Sequence, residues 1–326
     1  MSTRDIPETM KAAALDRFGG PEELTLHDVA VPELGPDELL VHVHTAGVGV
    51  WDRSEREGRM ADWRDSEPSF PYVLGSDGAG TVVATGAEVS RFEEGDRVYG
   101  AAFLSPKGGF YAEYTAVQED QAAPVPEGLE LEEAGALAID AATALRGLRD
   151  ALDIQNGETV LIFGASGGVG HLAVQLAHRM GAKVLAVASG SDGVDFVEQL
   201  DAEEVVDGHA GGIEEATARI APNGLDAALI TTAGEGLEAA LEGLHEGARV
   251  AWPNGVRPEP EVPEGVSGSA YDGRTDREIF EELNRLLRSG PFTVHVDRTY
   301  PLENAAVAHR ALNDHYLGKL ALHIEA

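Results

Sequence analysis

The sequence predicts an α/β protein in two parts, a β-rich barrel or sandwich followed by a doubly wound parallel sheet. Three observations lead there. The chain has 326 residues, enough for two domains that each bury a core. Short strand-like runs between turn residues fill the first 125 positions. From about Leu129 onward, continuous apolar runs alternate with segments of helical periodicity.

The early strands are expected at residues 12–15, 24–31, 39–45, 80–85 and 97–102. Turn residues separate them, as in Gly19-Gly20-Pro21, Gly35-Pro36-Asp37 and Gly95-Asp96. His42 and His44 alternate with Val41 and Val43, so both share one strand face. A solvated face, rather than a metal site, is the expectation there.

The stretch 159–189 reads TVLIFGASGGVGHLAVQLAHRMGAKVLAVAS, a strand, a glycine turn, a helix and a strand. Val160 to Phe163 form the apolar run that a strand buried on both faces needs. Ala165, Gly167 and Gly170 occupy the three positions of a dinucleotide-binding fingerprint, with Ala165 in place of the first glycine. At Gly167 no side chain keeps a pyrophosphate from the backbone, and Gly170 lets the helix press on the strand. Val169, Leu172, Ala173, Leu176, Ala177 and Met180 make the apolar helix face. The free N–H groups that open this helix, around Ser166, Gly167, Gly168 and Val169, are where a phosphate would sit.

Further strands are expected at 204–206, 227–230 and 249–252, with helices near 194–200, 213–220 and 236–244. A proline-rich loop, 253–263, follows a strand's carboxyl end, the edge where ligands bind in open α/β sheets. A helix at 274–288, a strand at 292–296, a helix at 302–312 and a closing strand at 320–324 complete the chain. The domain boundaries expected are 1–125 with 271–326, and 126–270.

Composition narrows the function. The chain carries 57 acidic against 24 basic residues, a formal net charge of −33, and its only lysines are Lys11, Lys107, Lys183 and Lys319. The acids are dispersed, which predicts a folded protein with an acidic coat like that of a salt-in halophile's cytoplasmic protein. Such a coat disfavours nucleic acid and anionic membranes. Cysteine is absent, so disulfides, thiolate zinc sites and a cysteine nucleophile are excluded. The N-terminus MSTRDIPETM has no apolar core for a secretory signal, and no run of ~18 apolar residues exists. A cytoplasmic protein acting on a small molecule is the expectation.

With these motifs assembled, the chain resembles the medium-chain dehydrogenase/reductase superfamily, and within it the zinc-free quinone oxidoreductase branch. The resemblance rests on VPELGPDELLVHVHTAGVGVWD (31–52), FPYVLGSDGAGTVVATG (70–86), GDRVYG (95–100), GGFYAEYTAV (108–117), the fingerprint, and PLENAAVAHRAL…GKLAL (301–322). It implies a GroES-like barrel domain beside a Rossmann domain, with the active site in the cleft between them. Zinc-dependent members carry a cysteine after AGV and a His-Glu pair after the glycine of the second motif. This chain has Gly49, Ser76 and Asp77 at those places. Glycine cannot ligate and serine is a poor zinc ligand, so no catalytic zinc is expected, and Asp77 is read as a turn hydrogen-bonder.

Without zinc, alcohol oxidation lacks a Lewis acid. Reduction of a quinone or an activated C=C bond needs less, because the acceptor is already electrophilic. The catalytic candidates are Trp51 as an aromatic wall, Asp52 at a family position, and Tyr72 and Tyr271 as proton donors. Gly49 replaces an asparagine that lies near the nicotinamide in relatives. Thr143 matches a threonine near that ring, and Asn254 and Gly255 offer backbone to its carboxamide. Ala188 ends the second Rossmann strand, where an NAD site wants an acid, and Ser189, Gly190 and Ser191 follow. The small hydroxyls of Ser189 and Ser191 favour NADP(H), although relatives place a lysine and a tyrosine where Gly193 and Gly208 stand. An enoyl-thioester reductase is the alternative, with Arg53, Arg56, Arg59 and Arg64 as its basic candidates or else as a solvated face. A non-catalytic NADP(H)-binding redox sensor is a third reading. By resemblance the chain forms a homodimer through a Rossmann-sheet edge, at 266–270.

Overall fold

Wherever the apolar pattern changes period, the fold changes character. The computed structural model describes residues 6–64 and 68–324. The chain divides into two compact units, residues 1–139 with 275–281 and 296–326, and residues 140–274 with 282–295. The N-terminal residues MSTRD, part of the segment read for a secretory signal, lie outside the described residues.

The first unit opens with β1 (Thr9–Leu15) and β2 (Leu24–Ala30), an antiparallel pair. Then come β3 (Glu38–Val48), helix α1 (Val50–Arg56), β4 (Tyr72–Val73), β5 (Asp77–Thr85), β6 (Arg97–Ala101), β7 (Tyr114–Gln118), β8 (Ala122–Pro124) and α2 (Leu131–Ala134). β3 is the spine: β5, β7 and the last strand of the chain all pair with it antiparallel. Leu39, Val41 and Val43 of β3 enter a core with Val48, Leu74, Phe110 and Tyr111. This is the barrel-like unit, and strands β4, β7 and β8 are additions to the five runs visible in sequence.

His42 and His44 do not form a solvated face. Both are half-buried, His42 against Tyr114 with ring centroids 5.0 Å apart and His44 against His323 at 5.0 Å. Tyr114 on β7 and His323 on the C-terminal strand stand beside them on neighbouring strands of the same sheet, so cross-strand ring contacts take up part of that face.

Helix α3 (Ala138–Arg146) leads to the second unit: β9 (Thr159–Phe163), α4 (Gly168–Arg179), β10 (Lys183–Ala188), α5 (Gly190–Val197), β11 (Glu204–Asp207), α6 (Ile213–Ile220), β12 (Leu225–Ile230), α7 (Leu237–Glu242), β13 (Leu244–Pro253) and β14 (Ser267–Tyr271). These six strands form one parallel sheet in the order β11-β10-β9-β12-β13-β14. Counted from β9, that is 3-2-1-4-5-6, the doubly wound order whose chain reversal opens a crevice at the carboxyl ends of β9 and β12. Val160 to Ile162 are wholly buried, as a strand covered by helices on both faces must be. Of the segment 266–270, all but Val266 lies in β14, whose Ser267, Gly268, Ser269 and Ala270 are exposed at the sheet's edge.

After α8 (Arg277–Leu287), the strand expected at 292–296 is absent. Phe292 lies under the Arg179 guanidinium, 4.9 Å from its ring centroid, and Thr293 is tied to Gln175, so this apolar run packs as a loop. The strand β15 runs instead over Val296–Pro301, parallel to β16 (Lys319–His323), with α9 (Ala305–Ala311) between them. Among the described residues, no helix is long and apolar enough to cross a membrane.

Candidate active site

The carboxyl edge of the parallel sheet gathers most of the residues singled out from sequence. The turn after β9 is made by Gly164, at φ +84°, one residue ahead of the fingerprint's first position. A side chain there would collide with Thr231 and Thr232. Ala165 is therefore buried without strain in the place of the first glycine, because its neighbour supplies the left-handed residue. A Cβ at Gly170 would stand 2.1 Å from the Gly164 carbonyl oxygen, which is the close helix–strand approach the fingerprint requires. At Gly167 such a Cβ would meet the Gly164 carbonyl oxygen at 3.5 Å, an ordinary contact, so a methyl group fits there without a clash.

Gly167, Gly168 and Val169 are half-exposed at the start of α4, with helix N–H groups and the positive dipole end behind them. This cradle fits the pyrophosphate of a dinucleotide. Ser166 is buried, and its Oγ accepts a long hydrogen bond from the Ser189 N–H at 3.4 Å, joining the fingerprint to the end of β10. Ser191 is exposed in the first turn of α5.

His171 was missed in sequence. It lies within 170–177, GHLAVQLA, a helical stretch buried on all sides. That lack of a polar face was the available signal, since an enclosed His171 and Gln175 must find partners. His171 Nε2 accepts the His295 backbone N–H at 3.2 Å, so the ring proton resides on Nδ1, which donates to the Gly167 carbonyl at 2.9 Å. Burial pushes its pKa down to about 4, keeping it neutral. A neutral imidazole thus pins the glycine cradle to the loop before β15.

At the other end of the same edge, Asn254 hydrogen-bonds through its N–H to the Tyr271 carbonyl at 2.9 Å and through Nδ2 to Asp272 at 2.6 Å. Gly255 takes φ +110° beside it. The Tyr271 hydroxyl donates to the Thr143 carbonyl at 2.9 Å, and burial raises its pKa. Its proton is therefore engaged in holding β14 to α3. Thr143 is buried and fills the space left by Gly273, where a Cβ would meet its Oγ1 at 2.1 Å.

In the first unit, Trp51, Asp52 and Tyr72 belong to or touch helix α1. Trp51 is half-buried beside Trp63 and Phe103, with centroids 6.3 and 6.1 Å away. Asp52 is buried and accepts the Gly49 N–H (2.8 Å), the Ser76 N–H (2.9 Å) and the Ser76 hydroxyl (2.8 Å). Burial pushes its pKa up against the pull of Lys319 and these bonds. The Tyr72 hydroxyl donates to Glu55 at 2.7 Å, and Arg64 bonds the same carboxylate oxygen at 2.8 Å. Burial raises the pKa of Glu55 to about 7.

Two expectations change here. Asp77 lies in strand β5 rather than a turn, buried, with its carboxylate accepting the Ile139 N–H at 3.2 Å. The arginine cluster is a solvated face only in part: Arg56 is buried, bonding the Gly19 carbonyl, His309 and Glu57, and the Arg64 side chain is buried against Glu55. Arg53 bonds Asn313, and Arg59, paired with Glu57, stays exposed.

Lys319 was not singled out either. It is buried at the start of β16 and its ammonium lies 3.9 Å from Asp77 and 3.3 Å from where a Gly49 Cβ would be. A lysine inside an apolar run, in a chain with four lysines, was the signal. Among the described residues, no group of three or more His, Asp or Glu is arranged to hold a metal ion.

A GroES-like unit followed by a six-stranded Rossmann sheet, with a glycine turn opening the helix after its first strand, defines a nicotinamide-dinucleotide oxidoreductase class. Comparison with known proteins agrees. Residues 35–127 match the alcohol dehydrogenase GroES-like domain, and residues 168–262 match the zinc-binding dehydrogenase family. A quinone oxidoreductase of Sus scrofa is 34% identical over 313 residues, covering 92% of this chain and 93% of the relative. Among solved structures, an NAD-dependent alcohol dehydrogenase superposes with TM-score 0.85 at 28% identity, over 97% of this chain and 100% of the other. A mycobacterial protein in complex with NADPH superposes at 0.80 and 27%, over 96% and 99%. The chain belongs to the medium-chain dehydrogenase/reductase superfamily of oxidoreductases.

Proposed function

We propose that this protein is a zinc-independent, NADPH-dependent reductase of quinones or α,β-unsaturated carbonyls. The observation that carries the reading is the donor set at the zinc-ligand positions. Gly49 has no side chain, the Ser76 hydroxyl is spent on Asp52, and the carboxylate of Asp77 takes the Ile139 N–H beside the Lys319 ammonium. A fixed organic cation stands where a further metal ligand would have to enter. This set does not suit zinc, whose sites use thiolate, imidazole and carboxylate donors at about 2.0–2.3 Å. An acceptor that is already electrophilic suits it better, and the similarity to quinone oxidoreductases supports that acceptor class.

The bound nicotinamide supplies a hydride. The protein's work is binding and orientation. The Gly167–Gly170 cradle and the α4 N-terminus hold the pyrophosphate, and His171 fixes the cradle's carbonyl. Asn254 and Gly255, at the end of β13, offer backbone to the carboxamide. The proposed NADPH preference is supported by Ala188 at the end of β10, where NAD sites carry an acid, and by the small hydroxyls of Ser189 and Ser191 after it.

The test is loss of absorbance at 340 nm in molar KCl with NADPH or NADH and a panel of quinones and enones. Turnover that requires both protein and acceptor, is faster with NADPH, and is unchanged after EDTA dialysis is the expected result. Activity lost to EDTA and restored by zinc overturns zinc independence. Turnover with NADH alone overturns the cofactor preference. Tight binding without turnover on any acceptor points to the sensing role instead.

A further inference from the structure

One buried carboxylate of helix α1 gathers three elements of the first unit. Glu55 Oε1 accepts the Tyr72 hydroxyl at 2.7 Å and the Arg64 guanidinium at 2.8 Å, and all three side chains are enclosed. Each partner leads to an aromatic ring. Arg64 follows directly on Trp63, which ends a 3₁₀ turn at Ala61–Trp63. The Tyr72 hydroxyl also lies 3.2 Å from the Ser105 carbonyl oxygen, in the loop that carries Phe103. Trp51 stands one helical turn before Glu55 on α1 itself, and both Trp63 and Phe103 pack on it. The Phe103 loop is held under strain, because Leu104 takes φ +56°, a left-handed conformation that leucine rarely adopts.

We infer that Glu55 is a positioning residue for the electron acceptor: it holds Trp63 and Phe103 against Trp51 as an aromatic wall that selects acceptors with a fused aromatic ring over short aliphatic enones. This rests on the reductase reading above and names the acceptor class within it. The rings stand out from the rest of the surface. Two of the chain's three tryptophans are here; Trp63 is 43% exposed, and Val50, next to Trp51 in the chain, is 57% exposed. On a coat dominated by carboxylates, exposed indole is surface kept for an apolar ligand. Three rings match a molecule of one or two rings and fall far short of the ~800 Å² that a stable protein partner covers. The negative face of an indole also attracts the electron-poor ring of a quinone. Glu55 itself does not meet the acceptor. It acts through Arg64, whose guanidinium is further locked 4.5 Å over the Tyr72 ring, and through Tyr72. A neutral amide in its place still accepts the Tyr72 hydroxyl but gives up the ion pair that fixes the residue after Trp63.

The experiment compares the full-length wild type with Glu55→Gln, Arg64→Met, Arg64→Lys and Trp63→Ala at one KCl concentration and pH 8, above the Glu55 pKa of about 7. Steady-state kinetics with NADPH or NADH uses naphthoquinone and methyl vinyl ketone as acceptors. Far-ultraviolet circular dichroism reads the exciton couplet of the Trp51–Trp63 pair, which Trp63→Ala assigns. Calorimetry reads cofactor affinity. The wild type is expected to favour naphthoquinone. Glu55→Gln and Arg64→Met should lose the couplet and raise the naphthoquinone KM about tenfold, the worth of one aromatic face, with little change in kcat, in methyl vinyl ketone kinetics or in cofactor affinity. Arg64→Lys keeps the charge and should restore both the couplet and the KM. A wild type that favours methyl vinyl ketone, or an unchanged naphthoquinone KM in Glu55→Gln, overturns the inference and leaves the reductase reading standing. A wild type that reduces neither acceptor with either cofactor overturns that reading, and the inference with it.

Discussion

Two buried histidines and one buried glutamate set opposite pH dependences on stability. His171 and His309 are enclosed and neutral, with pKa values held down to about 4 and about 3 from an ordinary 6.5. Arg56 donates to His309 Nδ1 at 2.8 Å, which obliges that nitrogen to accept and leaves the ring proton on Nε2, facing the Tyr111 oxygen at 3.1 Å. A histidine whose folded pKa is depressed stabilises fully above its unfolded pKa, and stability falls as pH drops from 6.5 toward the folded value. For His171 the loss is on the order of 3 kcal/mol. Glu55 runs the other way. Its pKa is raised from 4.5 to about 7, so stability is greatest below pH 4.5 and is lost as pH rises through 7. Urea unfolding between pH 5 and 8 at fixed KCl checks both signs. His171→Gln should flatten the acid limb, and Glu55→Gln should raise stability at pH 8 more than at pH 5. Equal pH profiles in wild type and variants count against these assignments.

The strand–turn–helix after β9 was the most legible element, and its glycines show why. Gly167 and Gly170 look alike in sequence, yet their surroundings differ: a Cβ would meet the Gly164 carbonyl oxygen at an ordinary 3.5 Å at one and at 2.1 Å at the other. Gly167→Ala is therefore expected to unfold at the wild-type denaturant concentration while losing tenfold or more in NADPH affinity. Gly170→Ala should lose about 1–3 kcal/mol of stability, because α4 must move off β9 to admit the methyl group. Unfolding curves beside calorimetric titrations separate the two, and a Gly167→Ala that binds NADPH as the wild type does would remove the cradle from the cofactor site. The first glycine was misplaced by one residue, since sequence does not show which backbone carries φ > 0. The apolar run at 292–296 failed as a strand because Arg179 and Gln175 claim it as a loop. Strands β4, β7 and β8 were invisible because they are two to five residues long and carry no alternation of their own.

At the scale of the whole molecule, a formal charge of −33 on 326 residues makes self-repulsion a standing term in stability. Raising ionic strength from 0.1 to 1 M shortens the screening length from about 10 to 3 Å. The thermal midpoint is expected to rise steadily with KCl across that range, and to rise similarly with NaCl, as screening requires. A midpoint insensitive to either salt would separate the acidic coat from salt adaptation. Composition and motif order were sufficient for the two-part α/β architecture and for the superfamily, because glycine spacing and apolar periodicity are local properties of the chain. Only the tertiary structure decided which polar groups are enclosed and what they face. Asp52 meets Ser76, Tyr72 meets Glu55, His171 meets His295 and His209 meets Ser189 across separations of 17 to 124 residues. Partners brought together by folding leave no periodicity in the sequence, and the protonation of buried groups depends on that enclosure rather than on residue type.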